Sequence, residues 1–293
     1  MTGAGTFFWI LIFLGLFFIW MGWVEPRAYR MSHHRVRLRK PLATSLKVLH
    51  LSDIHFAGPN RSLARFFDQL GGETYDFVFV TGDILDCEAG IPSCVENLKK
   101  IKSKHGVFAV FGNHDYYDYH LWDIVAHSFP GQNRPARIQP TPLFEKALKE
   151  AGARVLKNET VAANAGGTPV LIHGLDDPTT GRANLRQAMR NFDRTKINML
   201  LTHTIDVFLD IGENEIDLSF SGHSHGGQIR LPVVGPIVTH TTIGRTYAGG
   251  IRMLQGAVCS ISRGMGASRF FSFRLLCPPE AIVLEVNGSS QGS

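Results

Sequence analysis

Five short runs, each beginning where an apolar stretch ends, constrain this chain more than any other feature. They are LSDIH with Asp53 and His55, VTGD with Gly82 and Asp83, GNHD from Gly112 to Asp115, LLTH with His203, and GHSH from Gly222 to His225. A lone Asp or an isolated Asp-x-His pair would mean little, because such residues often just cap turns. Five in order are specific. In open α/β sheets ligands gather at the carboxyl ends of strands, so runs spread from residue 53 to residue 225 can converge on one site. The donors are carboxylates, imidazoles and one amide oxygen with no thiolate, a set suited to two divalent transition ions with one carboxylate shared between them. Asp53 and His55 alternate by one residue, so they share a face of an extended strand end and can reach one ion. His223 and His225 have the same spacing and can divide between two ions. Asp83 is the natural bridge, and Gly82, Gly112 and Gly222 give the backbone freedom to turn these side chains inward.

Between the runs, strand-length apolar segments alternate with helical patterns. LKVLHLS, a helix near Arg61 to Leu70, DFVFVTG, a helix near Cys94 to Lys102 and VFAVFG form a β-α-β-α series. Further strands are expected at VLIHGL, INMLLTH, DLSFSGH, GGQIRLP, YAGGIRML, AVCSISRG and AIVLEV, so the C-terminal part is mostly β.

The N-terminus is different. From Phe7 to Val24 no residue is charged, and about 18 helical residues rising ~1.5 Å each cover about 27 Å of hydrocarbon. A buried core helix rarely carries apolar residues on every face, and a cleaved signal peptide would start basic and end on small residues. Residues 1–24 are therefore expected to span a membrane once. Arg27, Arg30, Arg35, Arg37, Arg39 and Lys40 against Glu25 account for the whole net charge of +5, leaving residues 41–293 neutral. Charge confined to residues 25–45 reads as a basic juxtamembrane linker, a positive-inside signal and an anionic-lipid contact, with the catalytic part in the cytoplasm. A neutral remainder argues against nucleic acid as a partner. The four cysteines form no Cys-x-x-Cys pair and are expected to be reduced.

The order D-x-H, G-D, G-N-H-D, H, G-H-x-H resembles the calcineurin-like metallophosphoesterases from Leu46 to Val286. The run GHSHGGQIRLPVVGP, followed by YAGG, SRGMG and CPPE, is similar to a bacterial membrane-associated branch, that of the YaeI and YkuE type phosphodiesterases. The resemblance implies a four-layer α/β/β/α sandwich over residues 46–287 behind the membrane helix, with a flexible tail at 288–293. It implies that Asp53, His55, Asp83 and His225 hold one metal and that Asp83, Asn113, His203 and His223 hold a second. It makes His114 the acid, oriented by Asp115. The ions would be manganese foremost, with iron or zinc as alternatives. Asp115 stands where many relatives have Glu, and Ser224 where Thr is more usual.

The implied reaction is hydrolysis of a phosphodiester or pyrophosphate at a bacterial inner membrane. A membrane tether favours a lipid-linked phosphate substrate, such as the UDP-2,3-diacylglucosamine cut by similarly anchored enzymes of lipid A synthesis. A general phosphodiesterase on soluble diesters and a non-catalytic metal-bound scaffold are the alternatives, and no protein partner is implied. Residues 119–142 (YHLWDIVAHSFPGQNRPARIQPTP) break the rhythm and could cap the site with Trp122, Phe129, Arg134 and Arg137. In RFFSFRLLCPP, Phe270, Phe271 and Phe273 could dip into the membrane interface with Arg274 at headgroup level. Asp176 and Asp177 read as turn residues. His33, His34, His50, His105, His120, His127, His173 and His240 read as structural or solvated.

Overall fold

Apolar alternation decides the architecture, because most strands find an apolar layer on both faces. In the computed structural model, which describes residues 3–120, 137–212 and 216–289, twelve strands build two six-stranded sheets. The first contains β1 (Arg30–Arg37), β2 (Leu46–Leu51), β3 (Phe77–Thr81), β4 (Val107–Val110), β5 (Ala153–Val155) and the C-terminal strand Glu280–Asn287, in the order β1, C-terminal strand, β2, β3, β4, β5. The second contains β6 (Glu159–Ala165), β7 (Thr168–Gly174), β8 (Ile197–Leu201), β9 (Leu218–Ser221), β10 (Gly250–Leu254) and β11 (Ala257–Ile261), ordered β6, β7, β8, β9, β11, β10. β2, β3, β4 and β5 run parallel, as do β7, β8, β9 and β11, so the carboxyl ends of the central strands in each sheet lie on one edge.

Side chains sort by period two. Val48, Phe77 and Phe79 of the first sheet meet Met199, Leu201, Leu218 and Phe220 of the second, while Leu49, Leu51, Val78 and Val80 point the other way. Those outward residues are covered by α2 (Arg61–Leu70) and α3 (Ile91–Leu98), which follow the N-terminal α1 (Gly3–Ile19), and by α4 (Thr141–Glu150). The Asn60 side chain caps α2 by accepting from the backbone N–H groups of Ser62 and Leu63, and Leu63, Phe66, Phe67 and Leu70 form its buried face. α3 starts three residues earlier than its pattern suggests, because Pro92 sits in its first turn, where a missing N–H costs nothing. Behind the second sheet the fourth layer is thin: the turns Leu185–Ala188 and Ile205–Leu209 cover Leu200, Cys259 and Ile261. The expected four-layer α/β/β/α order holds, with unequal outer layers.

Two sequence expectations are corrected here. Residues 25–45 are not a plain linker, because β1 pairs in parallel with the C-terminal strand over its whole length, from Arg30 opposite Glu280 to Arg37 opposite Asn287. Arg35 forms an ion pair with Glu285 at 2.6 Å. GGQIRLP does not form a long strand; only Arg230–Leu231 is extended, paired with Gly235–Pro236 in a small hairpin. Of the possible cap, residues 121–136, including Trp122, His127, Phe129 and Arg134, lie outside the described residues. Arg137 is described, paired opposite Asp118 in a short ribbon.

α1 continues through the turn Trp20–Val24 to Arg27, and Gly5–Arg27 is long and apolar enough to cross a membrane by length and composition. Its end is fastened to the domain. Buried Glu25 accepts from Trp20 Nε1 at 3.0 Å and from the Cys277 N–H, and the Arg274 N–H donates to the Met21 carbonyl at 2.9 Å.

Candidate metal centre

Each signature begins two or three residues beyond a strand end: Asp53 after β2, Asp83 after β3, Asn113 after β4, His203 after β8 and His223 after β9. Both sheets contribute, so the site sits on the edge where they meet. Neighbouring loops are tied by backbone hydrogen bonds, Asp53 N–H to the Gly82 carbonyl, His55 N–H to Asp83 and Gly222 N–H to His203.

The seven side chains expected as ligands come together here. Asp53, His55, Asp83 and His225 offer atoms all within 4.8 Å of one another, and so do Asp83, His203 and His223, which makes Asp83 common to both groups. His203 Nε2 is 3.4 Å and His55 Nε2 3.7 Å from Asp83 Oδ2, and His225 Nε2 is 3.5 Å from Asp53 Oδ1. The second imidazole nitrogen of two of them is already engaged. His203 Nδ1 faces the Thr81 carbonyl at 3.1 Å and His55 Nδ1 faces Asp86 Oδ1 at 3.3 Å, which favours the proton on Nδ1; Nε2 of His55 is then unpartnered among the described residues, and Nε2 of His203 lies 3.0 Å from His223 Nδ1. His55 Nε2, Asn113 Oδ1 and His225 Nδ1 are buried with no hydrogen-bond partner among the described residues. Orphaned acceptor atoms around two buried carboxylates are what a pair of cations would satisfy, so the residues fit the metals the sequence implies.

Electrostatics agree with a cluster that wants positive charge. Burial pushes the Asp53 pKa up to about 6. Burial alone would raise Asp83 and lower His203, but their mutual attraction outweighs it, holding Asp83 well below the carboxylate range and His203 well above the imidazole range. Burial carries His114 down to about 4 and His223 to about 3.

Five of the expected ligands, Asp53 (φ 48°), His55 (53°), Asp83 (47°), His223 (66°) and His225 (48°), adopt the left-handed region themselves. Asp and His tolerate it better than most residues, at a cost that clusters at functional sites. Of the three glycines credited with these turns, only Gly82 has positive φ, +80°. Gly112 and Gly222 matter for space: a Cβ on Gly112 would overlap Asp83, and one on Gly222 would overlap Ser52 and Asp53.

Asp115 does not orient His114. Its carboxylate is fully buried and accepts from the N–H groups of Ile84, Leu85 and Gly112, bracing the loops beneath the site. The carboxylate facing the His114 ring belongs to Asp86, whose Oδ1 is 3.6 Å from Nδ1. Sequence reading missed Asp86 and its partner Arg269, which bonds Asp86 Oδ2 at 2.9 Å and Asp118 at 2.5 Å. The signal was Asp86 three residues after Asp83. His240, which reads as structural or solvated from sequence, lines the cleft with its ring 6.1 Å from His223. His50 and His173 are buried and hydrogen-bonded, to Ser260 and Thr81 and to Thr160 and Asn198. Arg274 is not at headgroup level: it is 1% exposed and donates to the carbonyls of Arg263, Cys277, Gly264 and Gly266.

The model of the calcineurin-like phosphoesterase family matches residues 46–227. The metallophosphoesterase YkoQ of Bacillus subtilis is 31% identical over 195 residues, 66% of this chain and 65% of that protein. The phosphodiesterase YaeI of Escherichia coli is 27% identical over 274 residues, 92% of each chain. The UDP-2,3-diacylglucosamine pyrophosphatase LpxG of Chlamydia muridarum is 27% identical over 251 residues, 74% of this chain and 75% of its own. The family match takes in all seven residues expected as ligands, and the chain belongs to the calcineurin-like phosphoesterases, metal-dependent phosphoester hydrolases.

Proposed function

We propose that this chain is a membrane-anchored hydrolase that uses two divalent cations to cleave a phosphodiester or pyrophosphate bond of a lipid-linked substrate on the cytoplasmic side. The observation that carries this reading is the shape of the cleft. It encloses about 490 Å³. Its lining includes Asp83, Asn113, His114, His223 and His225 and, in the same cleft, an apolar wall of Ile229, Ile237, Val238 and Phe271. A charged reacting centre beside an apolar wall suits an amphiphile with a phosphate next to an acyl chain. The relative named as a UDP-2,3-diacylglucosamine pyrophosphatase supports that class, and the apolar N-terminal helix supports the anchor.

Asp53, His55, Asp83 and His225 would hold one cation and Asp83, Asn113, His203 and His223 the other, with manganese, iron and zinc all compatible with these donors. When bound, such a pair lowers the pKa of water and neutralises charge during in-line phosphoryl transfer. The chain's own residues do the rest. His114, neutral because burial holds its pKa at about 4, can donate one ring N–H to the leaving oxygen. The Thr81 carbonyl and Asp86 hold His203 and His55 in the required tautomers, and the apolar wall keeps water from the acyl side.

The test is hydrolysis of UDP-2,3-diacylglucosamine in detergent micelles by the full-length protein with Mn²⁺. Bis(p-nitrophenyl) phosphate serves as the soluble reference and Asp83→Ala as the control. Rapid Asp83-dependent release of UMP supports the lipid reading. Cleavage of the reference alone keeps a phosphodiesterase and discards the lipid, and cleavage of neither supports a scaffold.

A further inference from the structure

The hairpin Arg230–Leu231/Gly235–Pro236 carries a tip that none of the described residues covers. Val233 is fully exposed, Val234 is 58% exposed and Leu231 41%. A protruding apolar tip marks a contact surface when it continues into other exposed apolar side chains. Here it does. The Arg230 N–H donates to the Leu275 carbonyl and the Leu275 N–H to Gln228, tying the hairpin base to the segment that carries exposed Phe271 and Leu276. Arg274, next to Leu275, donates its N–H to Met21 of the N-terminal helix, and the Phe273 ring lies against Gly22. Met21 and Gly22 sit between exposed Trp20 and Trp23 and precede Arg27. That pattern of indole rings followed by a cation marks the boundary between hydrocarbon and headgroups. The hairpin base is therefore within two hydrogen-bonded steps of the interfacial end of the apolar span.

Charge points the same way. From Leu218 to Pro279 the chain has six arginines and no Asp or Glu. Some are engaged internally, Arg269 with Asp86 and Asp118 and Arg274 with carbonyls; Arg230, whose Nη1 donates to the Gly226 carbonyl, lies in the hairpin, and Arg245 bonds the Ile237 carbonyl beside it. An apolar tip with cations at its base and no acids suits the surface of a bilayer that contains anionic lipids.

We infer that the hairpin 230–236 is a second membrane contact: its Leu231–Val234 tip enters the leaflet from which the helix emerges and sets the mouth of the metal cleft against lipid. The strand returning from the tip leads into Ile237 and Val238, which line that cleft. An acyl chain can pass from bilayer to apolar wall without crossing water. This rests on the anchoring proposed above and adds a contact that neither the span nor the metal site requires.

The test places a nitroxide at position 233 (Val233→Cys) of the full-length protein, in a Cys87→Ser background because the other three cysteines are buried. The protein is reconstituted in phosphatidylethanolamine–phosphatidylglycerol vesicles, and spin relaxation is measured with oxygen and with a water-soluble nickel chelate. Phe13→Cys reports the span, and Lys149→Cys on exposed α4 surface reports water. The expected result is that position 233 behaves as position 13 does, accessible to oxygen and several-fold less accessible to nickel than position 149. Nickel access equal to that at 149, with position 13 in lipid, overturns the hairpin contact while leaving the anchor standing. Shielding of 233 from both reagents means a protein neighbour and overturns it too. A water-accessible position 13 overturns the anchor and the contact together.

Discussion

Asp86 offers the sharpest test of how the chain prepares its site. It is 1% exposed and faces His55 Nδ1 at 3.3 Å and His114 Nδ1 at 3.6 Å, while Arg269 holds its other oxygen at 2.9 Å. Burial would raise its pKa, but His55, His114 and Arg269 outweigh that and keep it below the usual carboxylate value. For His55 to give Nε2 to a cation, Nδ1 must carry the proton, and Asp86 receives it. Asp86→Asn keeps the shape and an acceptor but removes the charge. A hydrogen bond to a charged group contributes about 1.5–3 kcal/mol and a neutral one about 0.5–1.5, so the difference is about 1–1.5 kcal/mol, or roughly tenfold in cation affinity. Asp86→Ala removes the acceptor altogether and should cost up to about 100-fold, the upper range for partners of metal-bound histidines. Competition titration of Mn²⁺ against a chelating indicator measures both variants in detergent, with bis(p-nitrophenyl) phosphate turnover at saturating metal as the second reading. Wild-type affinity in both variants would refute the claim that Asp86 fixes His55.

His114→Ala should retain both cations by elemental analysis and lose turnover by about 10²–10⁴-fold on a diester with a poor leaving group, the usual contribution of a positioned acid; undiminished turnover removes that role. Gly222→Ala should keep its far-UV dichroism and lose bound metal, since the added methyl overlaps Asp53 and Ser52; full metal content would mean that the loop gives way instead. Phe220→Ala empties a fully buried position where the ring meets Phe79 at 4.7 Å and His50 at 5.3 Å between the sheets. Denaturant unfolding should show a loss of about 3–5 kcal/mol, and a loss under about 1 kcal/mol would contradict that packing.

How much of this was legible follows from what each signal depends on. Strands between two apolar layers announce themselves, so β2, β3, β7, β8, β9 and β11 were readable from residue type alone. β1 was hidden because RMSHHRVR is a polar edge strand, and its charges looked like a linker until Glu280–Asn287, some 250 positions away, was seen to pair with it. β5, β6 and α4 were not anticipated; α4 begins at the end of the aromatic and proline-rich stretch that reads as an insertion. All seven positions expected to hold the cations could be singled out because they fall two to four residues beyond strand ends. The roles of Asp115 and Asp86 were not, because neighbours in sequence diverge in space at a tight turn. Asp115 turns down to backbone N–H groups, and Asp86, from another loop, turns toward His114. Left-handed φ at the ligands themselves had no sequence signal beyond the tolerance of Asp and His for it.

That strain, together with the buried charge, gives the cations a structural part that chelation should expose. Non-glycine residues in the left-handed region cost of order 1–3 kcal/mol each, and five occur within one site. Without cations the cluster borrows protons: Asp53 is raised to about 6 and His203 lies above its normal value. A group whose pKa is raised on folding stabilises the fold below its unfolded pKa and loses that contribution as pH climbs through the folded one. Asp53 should therefore contribute a loss of stability to the metal-free protein as pH rises from about 4 to about 6, and His203 a loss at higher pH, while the depressed His114 and His223 act in the opposite sense below about 6.5. Asp83 moves the other way, but as the partner of His203⁺ it loses its compensation when that proton leaves. Cations replace those protons, and binding to the native state at 100 times the dissociation constant adds about 2.7 kcal/mol. Thermal unfolding of the detergent-solubilised chain should thus show a Tm gap between Mn²⁺-loaded and chelated protein that is small at acid pH and widens toward pH 8, reversing when metal is restored. A gap that stays constant with pH would mean that the buried carboxylates and imidazoles are not what the cations stabilise.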